Sequence, residues 1–419
     1  MRGTQNRLPW KKILFGIVIA CVILILTGYA VFIKWPGLGA QGADMLRKVI
    51  GNEAVARLEM IVFRIQDAAQ QWKYARSGQT VQAPWQVTTI DTQPTAAVTP
   101  SPFPTNKATL SGLASKENQP ISQDNTPPPT DIPATPTPTP WMPPNVVPSG
   151  NVDGEGVWSP YIHDIQGNIV AYRTFVQPDP TRPYALVAVV AFDLKNTRLH
   201  FVLGSIEPYS PNGPTRTGAI PTEDKAPGVL LATFNGGFKA THGQFGAMSD
   251  GVIALPPKDN LGTLAIYKNG EIKMGNWGEE ITPSDQIAAW RQNGPLIVHN
   301  GVVNPHIAEN SPKDWGYTVD DVSPTWRSCI ALSRDSQTLY YLAGPSLTMP
   351  ALAQAALSIG APNALQLDIN NYWVHFVTIQ WNGNKPVPSA LFPDVMTNNI
   401  DRYLYPYTRD YFYVTAVKH

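Results

Sequence analysis

The residues best suited to chemistry follow an apolar run. Leu230 to Phe234 has the character of a buried strand and stops at Asn235-Gly236-Gly237. Paired glycines at a strand end allow positive φ and let a ligand come close to the main chain. Lys239, His242, Gln244 and Asp250 follow in a glycine-broken loop, the kind of segment that often carries binding groups. A tight turn between two strands accounts for the stretch as well. His242, with an ordinary pKa near neutrality, is the candidate general acid or base, the alternative being a plain exposed loop histidine. His299 and His375 fall in strand-like runs, where a half-buried, hydrogen-bonded ring is expected. Asp250 precedes Gly251, so turn chemistry explains it as well as a role does. Asp320-Asp321 has the look of a calcium ligand pair, but one acidic doublet is not a calcium loop. A divalent cation such as calcium stays open, and no other cofactor is expected.

The elements that must position these groups are mostly strands. Tyr184–Phe192 and Leu199–Leu203 read as consecutive strands joined through Asp193–Arg198. Leu264–Tyr267 and Glu271–Met274 flank Asn269-Gly270, a type I′ hairpin signal. Leu296–Val298 with Val302-Val303 around Asn300-Gly301 gives a second hairpin, and Arg327–Ser333 with Thr338–Leu342 a third. Met349–Ile359 is the clearest helix, with Pro350 in its first turn and Gly360 as its stop. The tyrosine-rich tail Tyr403–Tyr413 reads as a strand at a sheet edge. Few helices among many strands, without β–α alternation, predict an α+β, strand-rich mixed-sheet domain over residues 150–419.

What precedes this domain is of another kind. Residues 1–12 hold Arg2, Arg7, Lys11 and Lys12 and no acid. Ile13 to Ile33 is a run of 21 residues without charge, about the ~20 needed to cross a bilayer. It lacks a small-residue cleavage site and predicts an uncleaved transmembrane signal anchor with the N-terminus cytoplasmic and the rest outside the cell. Residues 42–76 have helical periodicity, split at Gly51-Asn52, and predict a juxtamembrane stalk: a plain spacer, a coiled coil or a membrane-surface element. Residues 79–149 are Pro/Thr-rich without periodicity and predict a disordered tether. Of the chain's 41 prolines, many fall here. The charge balance, 31 basic against 31 acidic residues, leaves no nucleic-acid footprint. The two cysteines, Cys21 and Cys329, sit in unrelated regions and predict no disulfide.

Four segments recur in a telling order: Asn235–Phe238, Gly294–Gly301, Arg327–Ser333 and Gly360–Asp368. Together, over about residues 187–378, they resemble the phosphodiester glycosidase family, whose members cleave sugar–phosphate diesters and include bacterial exopolysaccharide-associated proteins. The resemblance implies a hydrolase of a sugar-1-phosphodiester or related envelope glycan, with a site at strand ends. Asn235 matches the family's Asn-Gly-Gly position, Arg327 its strand arginine and Asp368 the aspartate of its Asp-Gly-Gly-Gly-Ser run. A guanidinium fits phosphate oxygens, glycine-flanked amides add donors, and an aspartate can act at the anomeric carbon. On this reading Asp368, Arg327 and His242 are catalytic. Asn235, Gly236, Gly237, Lys239, Asn300, Asn370 and Asn371 hold the substrate. The chain departs from the family after the aspartate, where Ile369-Asn370-Asn371 replaces glycines, and at Lys239, where the family has phenylalanine. A binding or structural envelope protein that keeps the fold without turnover is therefore the alternative. Trp277, Trp290, Trp315, Tyr317, Trp326, Tyr372, Trp373 and Trp381 divide between core and sugar-stacking roles in a way the sequence leaves open.

Overall fold

The computed structural model describes residues 36–77, 81–85, 141–308, 315 and 322–417. These belong to one compact unit. The basic tail 1–12, the expected span 13–33 with Cys21, most of the tether 79–149, Tyr317 and Asp320-Asp321 lie outside the described residues. Among the described residues no helix is long and apolar enough to cross a membrane.

The domain is strand-rich, with three sheets whose ladders are antiparallel. The largest has eight strands: β1 (Ser159–His163), β2 (Ile169–Val176), β3 (Val187–Asp193), β11 (Val298–His299), β12 (Val302–Val303), β13 (Thr325–Leu332), β14 (Thr338–Leu347) and β15 (Asn363–Ile369). Their spatial order is β1-β2-β3-β14-β13-β15-β11-β12. A second sheet contains β4 (Thr197–Val202), β5 (Leu230–Asn235), β16 (Phe376–Asn382), β17 (Lys385–Ala390) and β18 (Tyr411–Ala416), ordered β17-β16-β5-β18-β4. The third, ordered β7-β6-β10-β8-β9, is built from β6 (Ala247–Ser249), β7 (Val252–Leu255), β8 (Gly262–Tyr267), β9 (Ile272–Asn276) and β10 (Ile287–Gln292).

The continuous apolar run of β3 has a simple cause. Successive side chains point to opposite faces, and both faces of β3 are covered. Ala188, Val190 and Phe192 join the core shared with the second sheet, while Val187, Val189 and Ala191 join the core under a helix. That helix is Met349–Ser358. Thr348 caps it by accepting a hydrogen bond from the Ala351 amide at 3.2 Å, and Gly360, at φ 72°, ends it. Asn269-Gly270, Asn300-Gly301 and Asp250-Gly251 close three hairpins, and Asn300 and Asp250 take the left-handed φ of 53° and 49° that such turns demand.

Two expectations are corrected. The tyrosine tail is not an edge: β18 lies between β5 and β4, and Tyr411 to Val414 are all buried because another strand flanks them on each side. β3 and β4 are the consecutive strands expected, and they part into different sheets. The His375 ring is not half-buried but wholly so, and its Nε2 has no hydrogen-bond partner.

The segment ahead of the domain forms two helices, α1 (Pro36–Ile50) and α2 (Asn52–Ser77), folded back at Gly51 with φ 85°. Arg47 ties them together through both Glu59 oxygens at 2.8 Å. The hairpin rests on the domain. Asp67 accepts from Arg182 at 2.8 Å and from the Tyr184 hydroxyl at 2.9 Å, and Phe63 joins a cluster with Phe238, Phe245 and Ile369.

Candidate functional site

Three strand ends meet at one point. β5 runs out at Asn235, β15 delivers Asp368, and β18 begins just after Arg409-Asp410. Register makes the meeting obligatory: Tyr411 pairs with Asn235, and Phe376 with Phe234. The Asp368 amide donates to the Gly236 carbonyl at 3.1 Å, and the Gly236 amide to the Asp410 carbonyl at 3.2 Å.

The glycines of Asn235-Gly236-Gly237 are needed for a reason other than positive φ, which neither adopts. Side chains press against them from behind. A Cβ on Gly236 would stand 2.4 Å from Asp410 Oδ2, and one on Gly237 would stand 2.6 Å from Asn293 Oδ1 and 2.8 Å from Arg291 Nη2. Asp410 Oδ2 accepts from the Gly237 amide at 3.0 Å and from Arg291 Nε at 2.8 Å. Arg291 spends its other donors on the carbonyls of Phe238, Phe245 and Gln292. A buried ion pair survives only when its remaining donors find partners in this way. Asn235 is likewise internal: its Oδ1 accepts from the Tyr341 hydroxyl at 2.8 Å and the His375 amide at 3.1 Å, while Nδ2 donates to Ser328 Oγ and the Gly236 carbonyl. No sugar hydroxyl is needed to satisfy it.

In front of this scaffold lies a cavity of about 30 Å³. The domain lines it with Phe238, Lys239, His242, Asp368, Asn370, Trp373 and Arg409, and the helical hairpin with Asp44, Arg47, Glu59 and Phe63. Asp368 is its chemical centre. Its Oδ2 accepts from Arg409, whose guanidinium lies 4.2 Å from the Trp373 ring centre, and its Oδ1 accepts from the Ile369 amide at 2.9 Å. Lys239 stands over the same ring at 5.2 Å and pairs with Asp44. Asn370, at φ 70°, accepts from the Tyr372 and Trp373 amides and so bends the chain that brings Trp373 over both cations. Ile369 and Asn370 each have a local role: Ile369 packs with Phe63, and Asn370 folds the turn.

Burial raises the Asp368 carboxyl to about 6, the Arg409 charge only partly opposing it. Arg409 stays firmly charged: burial works against its charge, but Asp368, Asp410 and Glu207 outweigh it. His242 is pushed the other way, to about 3, by burial and then by Arg47, Arg409 and Lys239. It is a neutral imidazole at neutral pH, with Nε2 buried and without a hydrogen-bond partner. Burial also raises the Glu59 carboxyl, with Arg47 partly opposing it, so Asp368 and Glu59 are the cavity carboxyls moved toward neutrality, and His242 is a buried neutral ring beside them rather than a plain exposed loop histidine. His375 is also held neutral, first by burial and then by Arg402.

The sequence candidates thus divide. Lys239, His242, Asp368 and Asn370 converge on the cavity; Asn235, Gly236 and Gly237 brace it from behind. Arg327 does not reach it. It donates to the Leu347 and Ser323 carbonyls and to Gln366 Oε1, among β14, β15 and the turn before β13. Asn300 lies at the β11–β12 turn beside Asn363, away from the cavity. Asn371 lines a separate groove of about 530 Å³ with Trp326 and α2. Arg409 and Asp410 escaped the sequence reading. Their one signal is a charged pair placed directly before the apolar run of β18. No cluster of metal-ligating side chains occurs among the described residues.

No family model matches the chain, and no curated protein matches it. Solved structures similar in part include a hypothetical protein from Synechocystis, with TM-score 0.37 and 12% identity, covering 62% of this chain and 64% of that one. Another is the zebrafish N-acetylglucosamine-1-phosphodiester alpha-N-acetylglucosaminidase catalytic domain, auto-inhibited by its pro-peptide, with TM-score 0.36 and 12% identity, covering 61% and 86%. A putative exported protein from Burkholderia pseudomallei gives TM-score 0.28 and 10% identity, covering 56% and 74%.

Proposed function

We propose that the domain is a carbohydrate-active hydrolase of a sugar-1-phosphodiester or related anionic envelope glycan, held outside the cell by the 13–33 anchor. One observation carries the reading. The domain brings two cations, Arg409 on the Asp368 carboxyl and Lys239 nearby, to one indole ring, and Asp44 of the hairpin already sets a carboxylate on Lys239. With Asp44 withdrawn, the domain's share of the cavity is net positive and suits a phosphate beside a ring that stacks on a sugar. Fixed cations aimed where charge develops on a leaving phosphate are the largest single aid to such a reaction.

With the hairpin docked, burial holds Asp368 near 6, in the range of a proton-transfer group at neutral pH. It would protonate the leaving oxygen, or take a proton from the water attacking the anomeric carbon, while Arg409 holds its position. A cavity of about 30 Å³ is far below the roughly 300–1,000 Å³ of small-ligand sites. Substrate entry therefore requires the α1–α2 hairpin to move. Side chains at Ile369-Asn370-Asn371, where the resembled family has glycines, favour the second reading, a domain that binds glycan without turnover.

Full-length protein in detergent, assayed for free sugar against a panel of sugar-1-phosphodiesters, tests the proposal. Release that disappears in Asp368→Asn and weakens in Lys239→Ala supports hydrolysis. Glycan binding that needs Lys239, with no release from any diester, supports the second reading. Neither release nor binding defeats both.

A further inference from the structure

The hairpin that covers the candidate site has a second face that is exposed. On α1, Met45 and Val49 are 69% and 81% exposed; on α2, Leu58, Ile61, Ile65 and Trp72 are each more than half exposed. The four on α2 stand three, four and seven residues apart, which places them along one stripe of the helix. Soluble surfaces seldom gather large apolar side chains in this way.

Charge is sorted across the same hairpin. Of its four acids, three face inward: Asp44 toward Lys239, Glu59 toward Arg47, and Asp67 toward Arg182 and Tyr184. Glu53, the fourth, is exposed and paired with Arg57 at 2.6 Å. The exposed bases Lys48, Arg57, Arg64, Lys73 and Arg76 flank the apolar stripe, and Arg76 lies 4.6 Å from the Trp72 ring centre. An apolar stripe rimmed by basic residues, with a tryptophan near its end, has the make-up of a helix lying in a membrane interface. The chain reaches α1 from the uncharged Ile13–Ile33 run, separated from it by Lys34-Trp35 alone.

We propose that the outer face of the α1–α2 hairpin rests in the surface of an anionic lipid bilayer while its inner face holds the domain. The inference builds on the anchored reading of residues 13–33. A second copy of the hairpin suits the surface less well, because paired helices of this kind would set bases against bases beside the apolar seam. Acidic lipid headgroups would instead attract every one of them. One helix, about 10–12 Å across, would then separate lipid from the Asp368 cavity. The candidate site would open at the membrane rather than at the end of a long spacer.

The test uses the full chain reconstituted into phosphatidylcholine–phosphatidylglycerol vesicles. In a Cys21→Ala background, a spin label is placed at Ile61→Cys or Val49→Cys, with Ile165→Cys on the domain surface as control. Cys329 is wholly buried and stays unlabelled. The expected result is that dissolved oxygen reaches the Ile61 and Val49 labels far better than a water-soluble nickel chelate does. The Ile165 label shows the reverse. Chelate access at Ile61 equal to that at Ile165 overturns the proposal and leaves the anchor standing. Shielding from both agents, with line broadening that grows with protein-to-lipid ratio, assigns the face to a second copy and also overturns it. Failure of the chain to float with vesicles removes the anchored reading itself, and the docking with it. Preserved thermal unfolding of each labelled chain shows that these exposed substitutions leave the fold intact.

Discussion

The closure of the candidate site makes a prediction that can be worked through in energy. Phe63 is the hairpin's apolar anchor, 8% exposed and packed with Phe238, Phe245 and Ile369. Truncating a buried phenylalanine to alanine costs about 3–5 kcal/mol. In Phe63→Ala the lost contacts are those between hairpin and domain, so the cost falls mainly on the docked state. The polar ties, Asp44 to Lys239 and the mostly buried Asp67 to Arg182, keep their geometry and support the docked state equally before and after the substitution. They cannot compensate. At 1.4 kcal/mol per decade, a loss of about 3 kcal/mol raises the undocked population roughly a hundredfold. Amide hydrogen exchange reads this directly. Amides of Asn52–Ser77 and those around Lys239–Gln244 should exchange roughly a hundredfold faster in Phe63→Ala, while β3 and β14 keep wild-type protection. If exchange accelerates equally in the central strands, the hairpin is part of the global fold and is no cover. If it does not accelerate at all, Phe63 does not hold the cavity shut.

Other predictions follow from the same geometry. Gly237→Ala forces a Cβ against Asn293 and Arg291 and should cost about 1–3 kcal/mol in urea denaturation; an unchanged midpoint would show that the loop has room. Asp410→Ala leaves Arg291, 1% exposed, without its carboxylate and should cost about 3–5 kcal/mol by the same assay. Asp368 governs a pH effect. Its folded pKa of about 6 lies above its ordinary 3.8, so the folded state holds the proton more tightly, and the associated stability is complete below 3.8 and lost as pH rises to about 6. At ~1.36 kcal/mol per pH unit over that interval the loss is roughly 3 kcal/mol, and the decline should be missing from Asp368→Asn; parallel profiles for the two proteins would refute it. His242, held to about 3, should show no imidazole titration by NMR between pH 5 and 8, and a midpoint in that range would contradict its burial among cations.

The strand-rich class of the domain and its hairpins were legible because they rest on local rules. Asn269-Gly270 and Asn300-Gly301 announce their turns, and Pro350 and Gly360 bracket their helix. The register-dependent features were not. β18 reads as an edge from its position in the chain, and only pairing with β4 and β5 across some two hundred residues makes it central. The Asn-Gly-Gly segment does stand at the candidate cavity, though not for the reason its glycines suggest. Its glycines accommodate Asp410 and Arg291, side chains far along the chain, rather than a ligand. Arg327 was the expected phosphate partner from the resemblance, yet the arginine on Asp368 is Arg409, which carries no motif. The covering hairpin shows the limit most clearly. Its helical spacing is plain in residues 42–76, but which side faces the domain depends on Asp44, Asp67 and Phe63 finding partners that only the fold brings near.

The most direct test of the central claim is the rate of sugar release in the Phe63→Ala background, where the cavity is accessible, with and without Asp368→Asn. If Asp368 is the proton-transfer group, the second substitution lowers kcat by roughly 10²–10⁴-fold and leaves KM nearly unchanged. Loss of less than tenfold, in a protein whose exchange pattern shows the hairpin undocked and the sheets intact, would place the chemistry elsewhere.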